Sequence, residues 1–140
     1  VKRAYEEATE YLKYPYFKGI NTVLTYEKMA QINAEKAVVK DIINYIKRNY
    51  NKEISINSIA NEVYLSPTYL CLLFKNETGE TINTYLTKVR IEKSKRLLKD
   101  RRLKLYDVAN QVGYNDSNYF TKVFKKAEGC TPSEYRERIL

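Results

Sequence analysis

The chain of 140 residues contains no histidine, only two cysteines and only four glycines. The absence of histidine removes the commonest general base and the commonest zinc ligand. Four scattered glycines provide no glycine-rich phosphate loop. Cys71 and Cys130 are too few for a disulfide framework and indicate a reducing compartment, which predicts a cytoplasmic protein. We therefore predict that the chain is not an enzyme and has no catalytic residues, metal site or cofactor.

Long apolar runs are also lacking. No stretch approaches the roughly 20 apolar residues that a transmembrane helix needs, and the N-terminus lacks the pattern of a signal peptide, so no membrane partner is expected. A chain of this length can bury a core without disulfides, as one domain or as one small domain with an appendage. It begins at Val1 rather than at methionine, which predicts a fragment of a longer protein.

The formal net charge of +8 is unevenly distributed along the chain. Residues 1–36 contain 6 Lys/Arg and 5 Asp/Glu, whereas residues 37–140 contain 19 and 12. A basic segment raises the local concentration of polyanions and suits nucleic acid. Charge alone does not distinguish this interpretation from simple solubility.

One sequence pattern occurs twice, fifty positions apart. Residues 66–90 read SPTYLCLLFKNETGETINTYLTKVR, and residues 116–140 read DSNYFTKVFKKAEGCTPSEYRERIL. Upstream, IANEV (59–63) matches VANQV (108–112) at an offset of 49, which predicts one extra residue in a turn of the second copy. Two copies are too few for a solenoid. The repeat therefore predicts two similar small modules.

Helical spacing of apolar residues past residue 36 predicts an all-α fold of about seven helices. A stripe from Val39 to Tyr50 predicts a first helix over residues 37–50, with Asn33 as a candidate cap. Ser55 is expected to cap a helix that buries Ile56, Ile59, Ala60 and Val63. Ser66 and Pro67 begin the next helix, which ends at Gly79 and has Tyr69, Leu70, Leu73 and Phe74 on its inner face.

A long helix is predicted from about Ile82 to Asp100, which gives a length of roughly 30 Å. Its expected buried residues are Ile82, Tyr85, Leu86, Val89, Leu97 and Leu98. The opposite side is charged and includes Lys88, Arg90, Lys93, Lys95, Arg96 and Lys99.

The second copy predicts the same order of elements. A helix over about 105–112 is followed by Gly113, and Asn115 or Asp116 caps a helix that ends at Gly129. The expected inner face of that helix consists of Tyr119, Phe120, Val123 and Phe124. Thr131, Pro132 and Glu134 form a capping-box start for a last helix.

A short helix, a tight turn and a second helix constitute a helix-turn-helix motif. The first helix needs a small residue where the second crosses it, and Ala60 and Ala109 occupy that position. Gly113 suits a turn that favours positive φ, whereas Tyr64 stands at the corresponding place of the first copy. Leu70 and Phe120 are the expected hydrophobic anchors of the second helices, called recognition helices below.

These residues also carry a resemblance. The segments SPTYLCLLFKNETG (66–79), KVRIEKSKRLL (88–98) and DVANQVGYNDSNYFTKVFKKAEGCTPSEYR (107–136) resemble the DNA-binding domain of the AraC/XylS family of bacterial transcription regulators. The leader EEATEYLKYPYFKGINTVLTY (6–26) resembles the segment before this domain in response regulators, which implies a receiver domain upstream. The expected domains are a partly helical leader (1–36), a first helix-turn-helix (37–80), a linker helix (81–100) and a second helix-turn-helix (104–140).

The resemblance implies double-stranded DNA as the partner, with RNA polymerase as a further candidate. The implied base-contacting residues are Thr68, Cys71 and Leu72 in the first recognition helix and Asn118, Thr121 and Lys122 in the second. Asn118 suits adenine, Lys122 suits guanine, and Leu72 suits the methyl group of thymine. The implied phosphate contacts are Ser66, Lys75, Asn115, Ser117, Lys125, Arg101 and Arg102.

Major grooves on one side of B-DNA recur at about 34 Å, so a linker helix of roughly 30 Å predicts recognition helices in successive grooves. The alternative is an all-helical protein–protein interaction module that reads no DNA. Two further alternatives stay open: the basic run at 88–104 is a solvated face, part of which flanks phosphates, and Leu72 is buried against a neighbouring element.

Overall fold

The computed structural model describes residues 22–140, with side chains from residue 25 onward. Within this part the chain forms seven helices and no strand, which confirms the all-α prediction. The helices are α1 (Thr22–Asn49), α2 (Ile56–Glu62), α3 (Pro67–Thr78), α4 (Ile82–Leu97), α5 (Leu105–Gln111), α6 (Ser117–Glu128) and α7 (Pro132–Ile139). The chain divides into two units after Asp41, and the residues that matter below belong to the unit Ile42–Leu140.

Helix α1 is longer than the sequence pattern indicates. It runs without a break through Asn33, so the prediction of a helix start near residue 37 with Asn33 as its cap is wrong. Residues 22–36 contain neither proline nor glycine, and Gln31 donates a hydrogen bond to Glu35 one turn later, which supports a continuous helix. Residues 1–21 of the predicted leader lie outside the described residues.

The first module consists of α2, a turn and α3. Ser55 caps α2 in a capping box with Ser58, as each hydroxyl accepts a hydrogen bond from the other residue's backbone N–H. Ala60 is buried where the two helices pack, and Leu70 anchors α3 with no exposed surface. The predicted caps Ser55 and Ser66 and the predicted end of α3 at Gly79 are confirmed.

The second module, α5, a turn and α6, repeats the first in detail. The backbone N–H of Leu65 donates to Ala60 O at 3.0 Å, and that of Tyr114 donates to Ala109 O at 2.9 Å. Phe120 anchors α6 as Leu70 anchors α3, and both are fully buried. The turn occupies residues 63–66 in the first module and 112–116 in the second. The extra residue therefore lies in the turn, as the change of offset predicts.

The linker helix α4 is 16 residues long, about 24 Å, and ends before the predicted Asp100. Its N-terminal half packs on the first module, where the Tyr85 ring meets Phe74 edge-on at 5.7 Å. Its C-terminal half supplies Ile91 to the core of the second module, and Leu98, just past the end of the helix, belongs to the same core. Ile91 and Ser94 are buried although the sequence pattern omits them, whereas Tyr85, Val89 and Leu97 are only partly buried.

Helix α7 closes the second module. Thr131 and Glu134 form the predicted capping box, and Pro132 occupies the first turn. Tyr135 packs edge-on against Phe124 of α6 at 5.5 Å, which joins α7 to the aromatic core. Within the described residues, no helix is long and apolar enough to cross a membrane.

Candidate nucleic-acid interface

Each recognition helix starts at a side-chain cap and ends at a left-handed glycine. Ser66 Oγ accepts a hydrogen bond from the Tyr69 N–H at 3.3 Å at the start of α3. At the start of α6, Asp116 Oδ1 accepts from the Asn118 N–H at 2.8 Å and from the Tyr119 N–H at 3.4 Å. The alternative cap, Asn115, is exposed. The carboxylate of Asp116 also interacts favourably with the positive end of the helix dipole, which the serine hydroxyl does not.

The outer face of α3 is exposed along its length. Thr68, Cys71 and Lys75 are exposed, and Leu72 leaves 57% of its surface to solvent. The alternative in which Leu72 is buried within this chain is therefore wrong. Tyr69 was predicted on the inner face but is 40% exposed, since Leu70, Leu73 and Phe74 fill the space beneath the helix.

The outer face of α6 is more polar. Asn118, Lys122 and Lys125 are exposed, and Ser117 is half-buried. Thr121 is half-buried as well, and its hydroxyl donates to Ser117 O at 2.9 Å. The six predicted base-contacting residues thus lie on the outer faces of α3 and α6, although the Thr121 hydroxyl has an internal acceptor.

Tyr119 departs from its prediction in the same way as Tyr69. It was expected to point inward, but it is 57% exposed, and its ring contacts the edge of Tyr114 at 5.9 Å. Tyr114, which the sequence pattern did not single out, is buried and occupies the inner position instead. Burial raises the pKa of the Tyr114 phenol.

The two predicted phosphate-binding arginines lie in the loop between α4 and α5. Arg102 binds Asp100 through two hydrogen bonds, Nε to Oδ1 at 3.0 Å and Nη2 to Oδ2 at 2.8 Å. These bonds lower the pKa of the Asp100 carboxyl to about 2. Arg101 Nη2 donates to Leu140 O at 3.4 Å. Both side chains remain exposed, but Arg102 has to exchange a carboxylate for any phosphate that it binds.

Arg90 was predicted on the charged outer side of the linker helix, and this prediction is wrong. Its Nε donates to Tyr50 O at 2.8 Å and its Nη2 to Lys52 O at 3.0 Å, in the loop between α1 and α2. Its guanidinium also lies 5.0 Å from the centre of the Tyr114 ring in the second module. Arg90 therefore ties the linker helix to both modules rather than facing solvent.

The second module has an equivalent arginine that the repeat does not reveal. Arg136 Nε donates to Leu98 O at 2.9 Å, and its Nη2 donates to Asp100 O at 3.3 Å. In each module, an arginine on the helix that follows the recognition helix donates hydrogen bonds to backbone carbonyls of the segment that precedes the module. Under the fifty-residue offset Arg90 aligns with Leu140 rather than with Arg136, so sequence comparison could not pair them.

The comparisons with known proteins agree with this architecture. The family model described as "Helix-turn-helix domain" matches residues 59–138. An uncharacterized HTH-type transcriptional regulator from Pseudoalteromonas carrageenovora is 38% identical over 109 residues, which cover 78% of this chain and 64% of that protein. The chain thus spans less than two thirds of the length of that relative.

Two solved structures are similar over the same region. The C-terminal domain of AraT, a response regulator from Geobacillus stearothermophilus, has a TM-score of 0.70 and 34% identity, covering 72% of this chain and 84% of that one. The C-terminal domain of the two-component response regulator yesN from Fusobacterium nucleatum has a TM-score of 0.67 and 38% identity, covering 69% and 95%. The chain belongs to the AraC-type helix-turn-helix family, the DNA-binding domains of bacterial transcription regulators and response regulators.

Proposed function

We propose that the two recognition helices of this chain read one DNA duplex in successive major grooves. The observation that carries the proposal is that α3 and α6 each bury one face and leave the repeat-related face exposed. A helix reads the major groove through such an outer face. At about 24 Å, α4 is shorter than the groove repeat of about 34 Å. The rest of the distance between the two recognition helices has to come from the module helices that pack on α4.

Base reading is assigned to residues on the outer faces of the two recognition helices. Asn118 can pair with adenine and Lys122 with guanine through their hydrogen-bonding groups, and Leu72 can contact a thymine methyl group. Thr68, Cys71 and Thr121 complete the proposed set. Phosphate contacts at Ser66, Lys75, Asn115, Ser117, Lys125, Arg101 and Arg102 would fix the register without reading sequence.

The regulatory setting is part of the proposal. A receiver domain upstream would make this chain the output domain of a two-component response regulator acting in the bacterial cytoplasm. The similarity to the C-terminal domains of two response regulators supports this setting. RNA polymerase is a candidate partner of the bound regulator.

The test is selection of bound sites from a library of random DNA duplexes, followed by a salt titration on the selected site. Enrichment of one non-palindromic site is expected, because the two modules follow each other in one direction along the chain. The binding constant should fall steeply with salt as counterions are released. No enrichment together with no retained genomic fragment would favour the protein–protein module instead.

A further inference from the structure

A groove of about 700 Å³ lies between the linker helix α4 and the recognition helix α6. Lys88 and Thr84 line it from α4, and Tyr119, Lys122 and Lys126 line it from α6. Lys126 is absent from the phosphate contacts that the family resemblance implies. The ring of Tyr119, which is 57% exposed and meets the buried Tyr114 edge-on, lies in the same wall.

The net charge of this groove, counted with its ion-pair partners, is positive by one. The carboxylates of Glu92 and Glu128 in its lining share Lys95, at 2.8 and 3.2 Å, so one negative charge of this group is not balanced. Lys88 forms an ion pair with Glu80. Lys122 and Lys126 have no ion-pair partner among the described residues. An anion is therefore the occupant that this lining favours.

The groove is continuous with the proposed base-reading face of α6. Lys122 and Lys126 stand four residues apart, so they are neighbours along one side of the helix. Lys122 also lies within about 40° of Asn118 around the helix axis, whereas Lys126 is turned further, by about 80°. A helix in the major groove has a sugar–phosphate strand along each flank. The flank of α6 that carries Lys126 faces α4.

We propose that this groove holds one sugar–phosphate strand of the duplex whose major groove receives α6. Lys126 then contacts a phosphate from one wall, and Lys88 contacts one from the other wall after it exchanges Glu80 for that phosphate. The Tyr119 hydroxyl is available as a hydrogen-bond donor between them. The linker helix becomes part of the DNA-binding surface instead of only spacing the two modules. This inference rests on the proposed function, since it requires α6 to enter the major groove.

The test is Lys126→Ala in the present chain, with DNA affinity measured on the selected site and on unrelated duplexes over a range of salt concentrations. Affinity should fall by roughly three- to tenfold at about 100 mM salt on every duplex, and the slope of log K against log salt should shrink by about one. Lys93→Ala is the matched control, because Lys93 lines a separate cavity with Tyr50 and Arg96. It removes the same charge and should leave the slope nearly unchanged.

Three outcomes would overturn the inference while leaving the proposed function intact. These are unchanged binding by Lys126→Ala, a loss confined to one base position, and an equal loss in Lys93→Ala. Unchanged binding would indicate that the groove binds an acidic segment of a protein partner instead of DNA. Lys126→Glu, with unfolding midpoints measured for each variant, separates a binding defect from a folding defect. If the unaltered chain selects no DNA site, the proposed function itself fails.

Discussion

The two modules share a scaffold but differ in the chemistry that they present. Both have a buried alanine in the first helix, a left-handed residue in the turn, a capped recognition helix and a closing arginine. On the outer faces, Thr68, Cys71 and Leu72 of the first module correspond to Asn118, Thr121 and Lys122 of the second. The first module offers one hydroxyl, one thiol and one apolar side chain, whereas the second offers an amide, a hydroxyl and a cation. Under the proposed function, hydrogen-bonded base reading is therefore expected mainly from the second module.

The turns of the two modules differ in the space around their left-handed residue. Gly113 has φ +98 and lies against the Tyr50 carbonyl and Arg90, whereas Tyr64 has φ +56 with a side chain that is 94% exposed. The first module tolerates a tyrosine because nothing crowds it, although the left-handed conformation still costs about 1–2 kcal/mol. The second module has no space for any side chain at this position. The difference arises because both the Tyr50 carbonyl and the Arg90 guanidinium lie at the second turn.

The largest effect that tests this difference is expected from Gly113→Ala. A Cβ there would lie 2.6 Å from Tyr50 O and 2.9 Å from Arg90 Nη2, on a backbone that disfavours side chains. We expect a loss of about 3 kcal/mol in the free energy of unfolding, measured by denaturant titration. Gly129→Ala is the control, because Gly129 has a similar φ but no atom lies within 4 Å of the added Cβ. This variant should lose only about 1 kcal/mol in the free energy of unfolding. Equal losses would show that crowding by Arg90 and Tyr50 contributes nothing.

A second test compares the outer faces through Lys122→Ala and Leu72→Ala. Loss of the Lys122 ammonium should relax the preference at one base position and cost roughly 1–3 kcal/mol on the selected site. Loss of the Leu72 side chain should cost about 1 kcal/mol, because it removes only apolar contact. Binding to a set of single-base variants of the site measures both.

Lys125→Ala provides the control for that comparison, since a phosphate contact should weaken all the variant sites equally. If Leu72→Ala relaxed the preference more strongly than Lys122→Ala, the assignment of base reading mainly to the second module would be wrong.

The sequence predicted the repeated features better than the features that join the modules. Caps, anchors and turn glycines depend on neighbouring residues, so Ser55, Ser66, Leu70 and Phe120 could be assigned from local patterns. Arg90 could not, because its acceptors are backbone carbonyls 38 and 40 positions away. Tyr69 and Tyr119 were assigned to the core because aromatic residues at helical spacing usually pack inside. The predicted start of helix α1 lay too far along the chain, because the polar Asn33 resembles a helix cap when only the local sequence is considered.

Tyr64→Gly should stabilise the protein, in contrast to every substitution above. Glycine relieves the left-handed strain but adds freedom to the unfolded chain, so a gain of about 0.5–1 kcal/mol in the free energy of unfolding is expected. Tyr106→Gly is the control, because Tyr106 is also exposed but lies within helix α5, where glycine should cost about 1 kcal/mol. A loss of stability in Tyr64→Gly would mean that the exposed tyrosine makes contacts that outweigh its strain.

The smallest effect concerns the loops that precede the modules, where Asn51 of the first corresponds to Asp100 of the second. Hydrogen bonds from Arg102 lower the folded-state pKa of Asp100 from 3.8 to about 2. Their contribution to stability is therefore present above about pH 4 and is lost as the pH falls through about 2, since the unfolded chain takes up the proton first. Arg102→Ala should make the free energy of unfolding less dependent on pH in this interval, whereas Arg101→Ala should leave that dependence unchanged. Identical pH profiles for Arg102→Ala and the unaltered chain would show that the pair is too well solvated to matter, in which case Arg102 is as available to a phosphate as Arg101 is.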